Sequence, residues 1–183
     1  MDRETELLLH EKRMLLSKWG LHSAPEPLDY SEVLRFAHTL PLNAPVSEIE
    51  RLVLRIEALT DFGLRDATVE ADTIGMEDML CGFAMHFLRQ NDFLMGCRLL
   101  RSLSYLKSGN TAIAECVKFL LLHQQLGGPF GFFGGEAAFE ASRPERYSLE
   151  ASLYLPVTIS CLLALAECSG QRWRLFGSLP RIR

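Results

Sequence analysis

The sequence predicts an all-α protein: a single domain of about seven helices arranged in antiparallel hairpins. Three observations carry this expectation. Apolar residues recur with the helical period along almost the whole chain. No alternating apolar and polar run is joined to another by a hairpin turn signal. Clusters of Gly, Pro, Asn and Asp interrupt the periodic segments at intervals suited to helical hairpins.

The elements follow in order. Leu7, Leu8, Met14, Leu15 and Trp19 fall near one face of a first helix, which Gly20 ends. Pro25 and Pro27 bar its continuation. Asp29 followed by Glu32 reads as a capping box for a short second helix carrying Val33, Leu34 and Phe36, closed by Pro41 and Pro45. Ser47 is expected to cap a third helix whose stripe is Ile49, Leu52, Val53, Ile56 and Leu59, with a stop at Asp61-Phe62-Gly63. Leu64 to Thr73 is polar and reads as irregular.

A fourth helix runs from about Gly75 to Arg89 and buries Met79, Phe83 and Phe87, before the tight connection Gln90-Asn91-Asp92. A fifth carries Phe93, Cys97, Leu100, Leu103 and Tyr105. Lys107-Ser108-Gly109-Asn110 is a stop and restart, with Asn110 a good N-cap. The sixth helix includes Ile113, Val117, Leu120 and Leu121 and reaches about Gln125. The seventh begins at Tyr147 or Ser148. Leu153, Leu155, Val157, Ile159, Leu162, Leu163 and Leu165 leave it few polar faces, so it is expected to be central and buried on several sides. Pro156 should kink it or mark its true first turn. The helical domain is expected over residues 1–170. A basic tail over 171–183 carries Arg172, Arg174, Arg181 and Arg183.

The chain's 183 residues suffice for a sizeable core. A net charge of -4 argues against broad nucleic-acid binding. No apolar run reaches the roughly 18 to 20 residues that span a bilayer, so no membrane partner is expected. Asp2, Glu4 and Glu6 open the chain in a way unlike a secretory signal. Five cysteines in apolar helical patterns read as reduced thiols of a cytoplasmic protein.

The most distinctive segment runs Leu122-His123-Gln124-Gln125-Leu126-Gly127-Gly128-Pro129-Phe130-Gly131-Phe132-Phe133-Gly134-Gly135. An apolar helix ends here, and a loop with three Phe side chains follows. Such a loop is expected to fold back over a helix end or to present an apolar surface to a ligand or partner. Within it, Gln124-Gln125-Leu126-Gly127-Gly128-Pro129-Phe130-Gly131-Phe132 resembles the repeat-end motif of α/α-toroid proteins, the terpenoid cyclases and protein prenyltransferases. In those families a Gln precedes an Asp-Gly pair and then Phe-Gly. Here Gly127 stands at the Asp position and Pro129 where a small polar residue is common. Glu57-Ala58-Leu59-Thr60-Asp61-Phe62-Gly63, the Gln-Gly-Phe loop and Leu155-Pro156-Val157-Thr158 together resemble an uncharacterised family frequent in actinomycetes and assigned to the same superfamily. The resemblance implies part of a toroid fold and a place in a specialised-metabolite pathway. It carries over no activity. The Asp-x-Asp-Asp of polyene protonation and the Asp-rich helices that hold magnesium diphosphate are absent from the sequence.

Three residues are candidates for acid–base chemistry. His86 lies in an apolar helix and reads as a hydrogen-bonded core residue or a general base. His123 abuts the Gly-Phe loop and reads as a helix-end cation or a pocket-lining base. Glu115 falls near an apolar stripe, where Arg98 or Arg101 would pair with it or a His would be oriented by it. Phe130, Phe132, Phe133 and Gln124 are the candidate ligand-contacting residues. Cys81 and His86 lie about 140° apart around a helix and form no two-ligand face, so no metal and no cofactor is expected. The acids Asp61, Asp66, Glu70, Asp72, Glu77 and Asp78 read as caps and solvated charges. The sequence therefore points to a helical accessory protein that binds an apolar small molecule, a peptide or a partner protein, or that forms a homodimer. The alternative is a metal-independent enzyme with an apolar cavity and a His/Glu pair.

Overall fold

The computed structural model describes residues 9, 12–13, 16–17, 20–21, 37, 40–41, 43–64, 74–125, 129–130 and 147–169, with the backbone alone for residues 74 and 147–153. Among them are five helices: α1 (Val46–Thr60), α2 (Ile74–Arg89), α3 (Phe93–Tyr105), α4 (Ala112–Leu122) and α5 (Tyr147–Cys168). The described residues form no strand. Their one β feature is an isolated antiparallel bridge between Gln124 and Phe130. The all-α expectation holds. The first two expected helices, the acids Asp66, Glu70 and Asp72, the Gly pairs and the basic tail lie mostly or wholly outside the described residues.

The described chain divides into two compact units: residues 1–80 with 102–109, and residues 81–101 with 110–183. In the first, α1 buries Ile49, Leu52, Val53 and Ile56 on the stripe that the sequence showed. Its start differs from expectation. Pro45 is the N-cap with no side-chain hydrogen bond, and Ser47 lies inside the first turn. Pro fixes φ near the helical value and lacks an N–H, so it initiates a helix without a capping oxygen. Its end is as expected. Asp61, Phe62 and Gly63 all take positive φ (48°, 54° and 80°). The Thr60 hydroxyl donates to the Ile56 carbonyl at 2.8 Å and accepts from the Gly63 N–H at 3.2 Å.

Three other stops use one device. Gly20, Asn91 and Lys107 each have positive φ. The N–H of the following residue reaches five residues back, from Leu21 to Leu16, Asp92 to Phe87 and Ser108 to Leu103. This left-handed closure satisfies carbonyls that the helix end leaves open.

In the second unit, a three-residue connection joins α2 to α3, and Asp92 Oδ1 accepts the Met95 N–H at 3.0 Å as the cap of α3. Gly96 lets the two helices meet closely. A Cβ there would lie 2.7 Å from Leu88 Cγ and 3.3 Å from the Ala84 carbonyl oxygen. The N-cap of α4 is Thr111, one residue after the expected Asn110, whose side chain still accepts the Ala112 N–H at 2.9 Å just ahead of the helix. The helix ends at Leu122, short of the expected Gln125.

Helix α5 packs against α4. It also touches α3 at two levels: Cys161 meets Cys97, and Glu167 pairs with Arg101. The contacts ascend both helices in the same order, so α3 and α5 run in the same sense, as an up-down-up succession through α4 requires. Pro156 lies inside α5, and its missing N–H leaves the Ser152 carbonyl without its helical partner.

Candidate functional site

The expected acid–base residues fall in the second unit but are not brought together. His86 is exposed. It shares the outer face of α2 with Gly75, Asp78, Gly82 and Arg89, all exposed. Steps of three and four residues along that face explain why an apolar-looking segment presents a His to water. Its ring meets Phe87 edge-on, with centroids 5.6 Å apart.

Glu115 is exposed on the first turn of α4. His123 is the C-cap of the same helix, eight residues on, hence about 12 Å further along the axis. Its ring stacks on Phe119 at 4.1 Å and tilts against Phe93 at 5.8 Å. His123 Nδ1 lies 2.8 Å from the Phe119 carbonyl oxygen. A carbonyl can only accept, so Nδ1 carries the proton and the ring is locked as a helix-end cap. Arg101, considered above as a partner for Glu115, instead makes a two-point pair with Glu167, Nε to Oε2 at 3.0 Å and Nη2 to Oε1 at 3.3 Å. No local pattern marks this pair, because the partners are 66 positions apart.

The loop after α4 folds back on its own unit. Gln125 N–H donates to the Pro129 carbonyl at 2.9 Å, next to the Gln124–Phe130 bridge. Phe130 is 1% exposed, and its N–H donates to Thr158 Oγ1 of α5 at 3.1 Å. This ring is interior packing. Gln124 is exposed beside it. Phe132 and Phe133 lie outside the described residues.

The open apolar surface is found elsewhere. On α5, Leu155, Ile159 and Leu162 are 55%, 46% and 50% exposed. Their spacing of four then three residues puts them on one line, which continues through half-buried Ala166. This corrects the expectation that the helix is buried on several sides. Sequence alone could not reveal the face, because α5 is apolar all round and no polar stripe marks the side left open. Only Cys161 and Ala164 of its described side chains are fully buried. At the end of α4, Leu121 and Leu122 are also exposed, at 53% and 73%.

Among the described residues no group of three or more His, Cys, Asp or Glu is placed to hold a metal ion. No helix among them is long and apolar enough to cross a membrane. None of the five cysteines is in a disulfide. Burial, aided by Glu115, pushes the Cys116 thiol up from 9.0 to about 11. Burial, then Glu167 and Cys116, raises the Cys168 thiol to about 11. Compared with known proteins, the chain matches no family model, no curated protein and no solved structure.

Proposed function

We propose that this chain is a helical protein-binding protein whose docking surface is the exposed line Leu155-Ile159-Leu162 on α5, and that the surface takes α5 of a second copy. The exposure of these three large apolar side chains on one helical line is the observation that carries the reading. The four-then-three spacing is that of a coiled-coil seam, which accepts another helix by seating knobs into holes. No charged residue occurs from Tyr154 to Ala166. The positions flanking the seam (Pro156, Thr158, Leu163 and Leu165) therefore set no charge code for a different partner. Two copies can pair without like charges opposed, and a two-fold axis makes one patch its own complement.

Light scattering on the eluting protein tests this. We expect the wild type to run at twice its 20.7 kDa chain mass. Leu155→Glu with Leu162→Glu should run at the single-chain mass with an unchanged helical circular dichroism spectrum, since both positions face solvent within one chain. A single-chain mass for the wild type at high concentration, or a dimer indifferent to the double substitution, overturns the reading.

A further inference from the structure

We propose that Cys97 and Cys161 form a redox modification site, a thiol pair that a small neutral peroxide converts to a disulfide tying α3 to α5. The two sulfur atoms are 3.6 Å apart, and both residues are 0% exposed. Closing to a disulfide length of about 2.0 Å requires about 1.6 Å of approach, within reach of small side-chain rotations.

The surrounding contacts hold the two helices at this register. Four residues beyond Cys97, Arg101 grips Glu167 at two points. One residue short of that, Leu100 offers its carbonyl oxygen to Cys168 Sγ at 3.8 Å. A pair this far apart in sequence, 64 positions, is juxtaposed only by the fold.

Burial selects the reagent. Charged oxidants and bulky disulfides cannot reach two enclosed sulfurs, whereas an uncharged peroxide can enter on ordinary fluctuations. Cys97 donates its S–H to Cys161 Sγ, and this hydrogen bond, with burial, holds the Cys97 proton far above the usual thiol range. A donated S–H stabilises negative charge developing on the acceptor sulfur, so Cys161 is the first nucleophile. Its sulfur, giving up its proton, attacks one peroxide oxygen. The O–O bond breaks, Cys161 becomes a sulfenic acid and water leaves. Cys97 sulfur then attacks the Cys161 sulfur, the S–O bond breaks and the Cys97 proton departs with the hydroxyl as a second water. Two thiols and one peroxide yield one disulfide and two waters, with the thiols oxidised and the peroxide reduced.

The test treats the native full chain with hydrogen peroxide, blocks remaining thiols with N-ethylmaleimide in denaturant and maps peptides by mass spectrometry. We expect a Cys97–Cys161 cross-linked peptide, lost on reduction, within a chain that still migrates as a monomer on a denaturing non-reducing gel. Because the bridge closes a long loop, oxidation should raise Tm by about 5–10 °C. A variant with Cys81, Cys116 and Cys168 all changed to Ser should still form the bridge, and Cys97→Ser should lose both the cross-link and the Tm rise. Should the triple variant not fold, the wild-type peptide map decides alone. Recovery of Cys97 and Cys161 as separate alkylated or sulfinic peptides, or an intermolecular ladder at these residues, overturns the proposal.

Discussion

Gly63 follows two non-glycine residues already held in the left-handed region, and a Cβ at this position would lie 2.6 Å from Tyr105 Cδ1 and 3.1 Å from Cε1. Tyr105 is 4% exposed and has little room to withdraw. Gly63→Ala therefore meets both an unfavourable φ of 80° and a ring edge. We expect it to destabilise the protein by roughly 2 kcal/mol, seen as a lower urea midpoint with an unchanged slope. This stop was legible in the sequence because Asp-Phe-Gly after an apolar stripe is local chemistry. Gly20 and Asn91 were legible for the same reason. Lys107 shows the limit: the stop around it could be read, but no residue preference marks a Lys for the left-handed position. The roles of His86 and Glu115 were not legible either. Their exposure depends on which face of α2 or α4 the rest of the unit covers.

At the scale of elements, α3, α4 and α5 enclose thiols that resist ionisation. Cys116 on α4 and Cys168 on α5 are raised by burial from 9.0 to about 11. The folded protein keeps both protons over a range in which the unfolded chain releases them. Their contribution to stability is thus fully present below pH 9 and is lost as pH rises to about 11. We expect the urea midpoint, measured under reductant, to fall across this window and to fall less steeply in Cys116→Ala with Cys168→Ala. A window shifted below pH 9 would contradict the assigned burial. The cores of α1 and α3 were legible from their stripes, since each helix has a clear polar face. That of α5 was not. A helix apolar on every side tells the reader that it will be buried somewhere but not which side its neighbours leave open, and here the open side is Leu155, Ile159 and Leu162.

At the scale of the whole molecule, the chain carries a net charge of -4 yet keeps the segment from Tyr154 to Ala166 free of charge. Large apolar side chains lined up in solvent are costly unless something covers them. In the proposed dimer a second copy would supply that cover with no new surface chemistry. Around a two-fold axis, the residue at the middle of the seam faces its own equivalent. Ile159 holds that place between Leu155 and Leu162, and it is exposed within one chain. The most direct measurement is therefore oxidative cross-linking of Ile159→Cys, read on a denaturing non-reducing gel beside Lys118→Cys, an exposed position on α4. We expect Ile159→Cys to give a reducible covalent dimer and Lys118→Cys to remain a single chain. Ile159→Cys remaining a single chain under the same oxidation would contradict α5 as a self-docking surface.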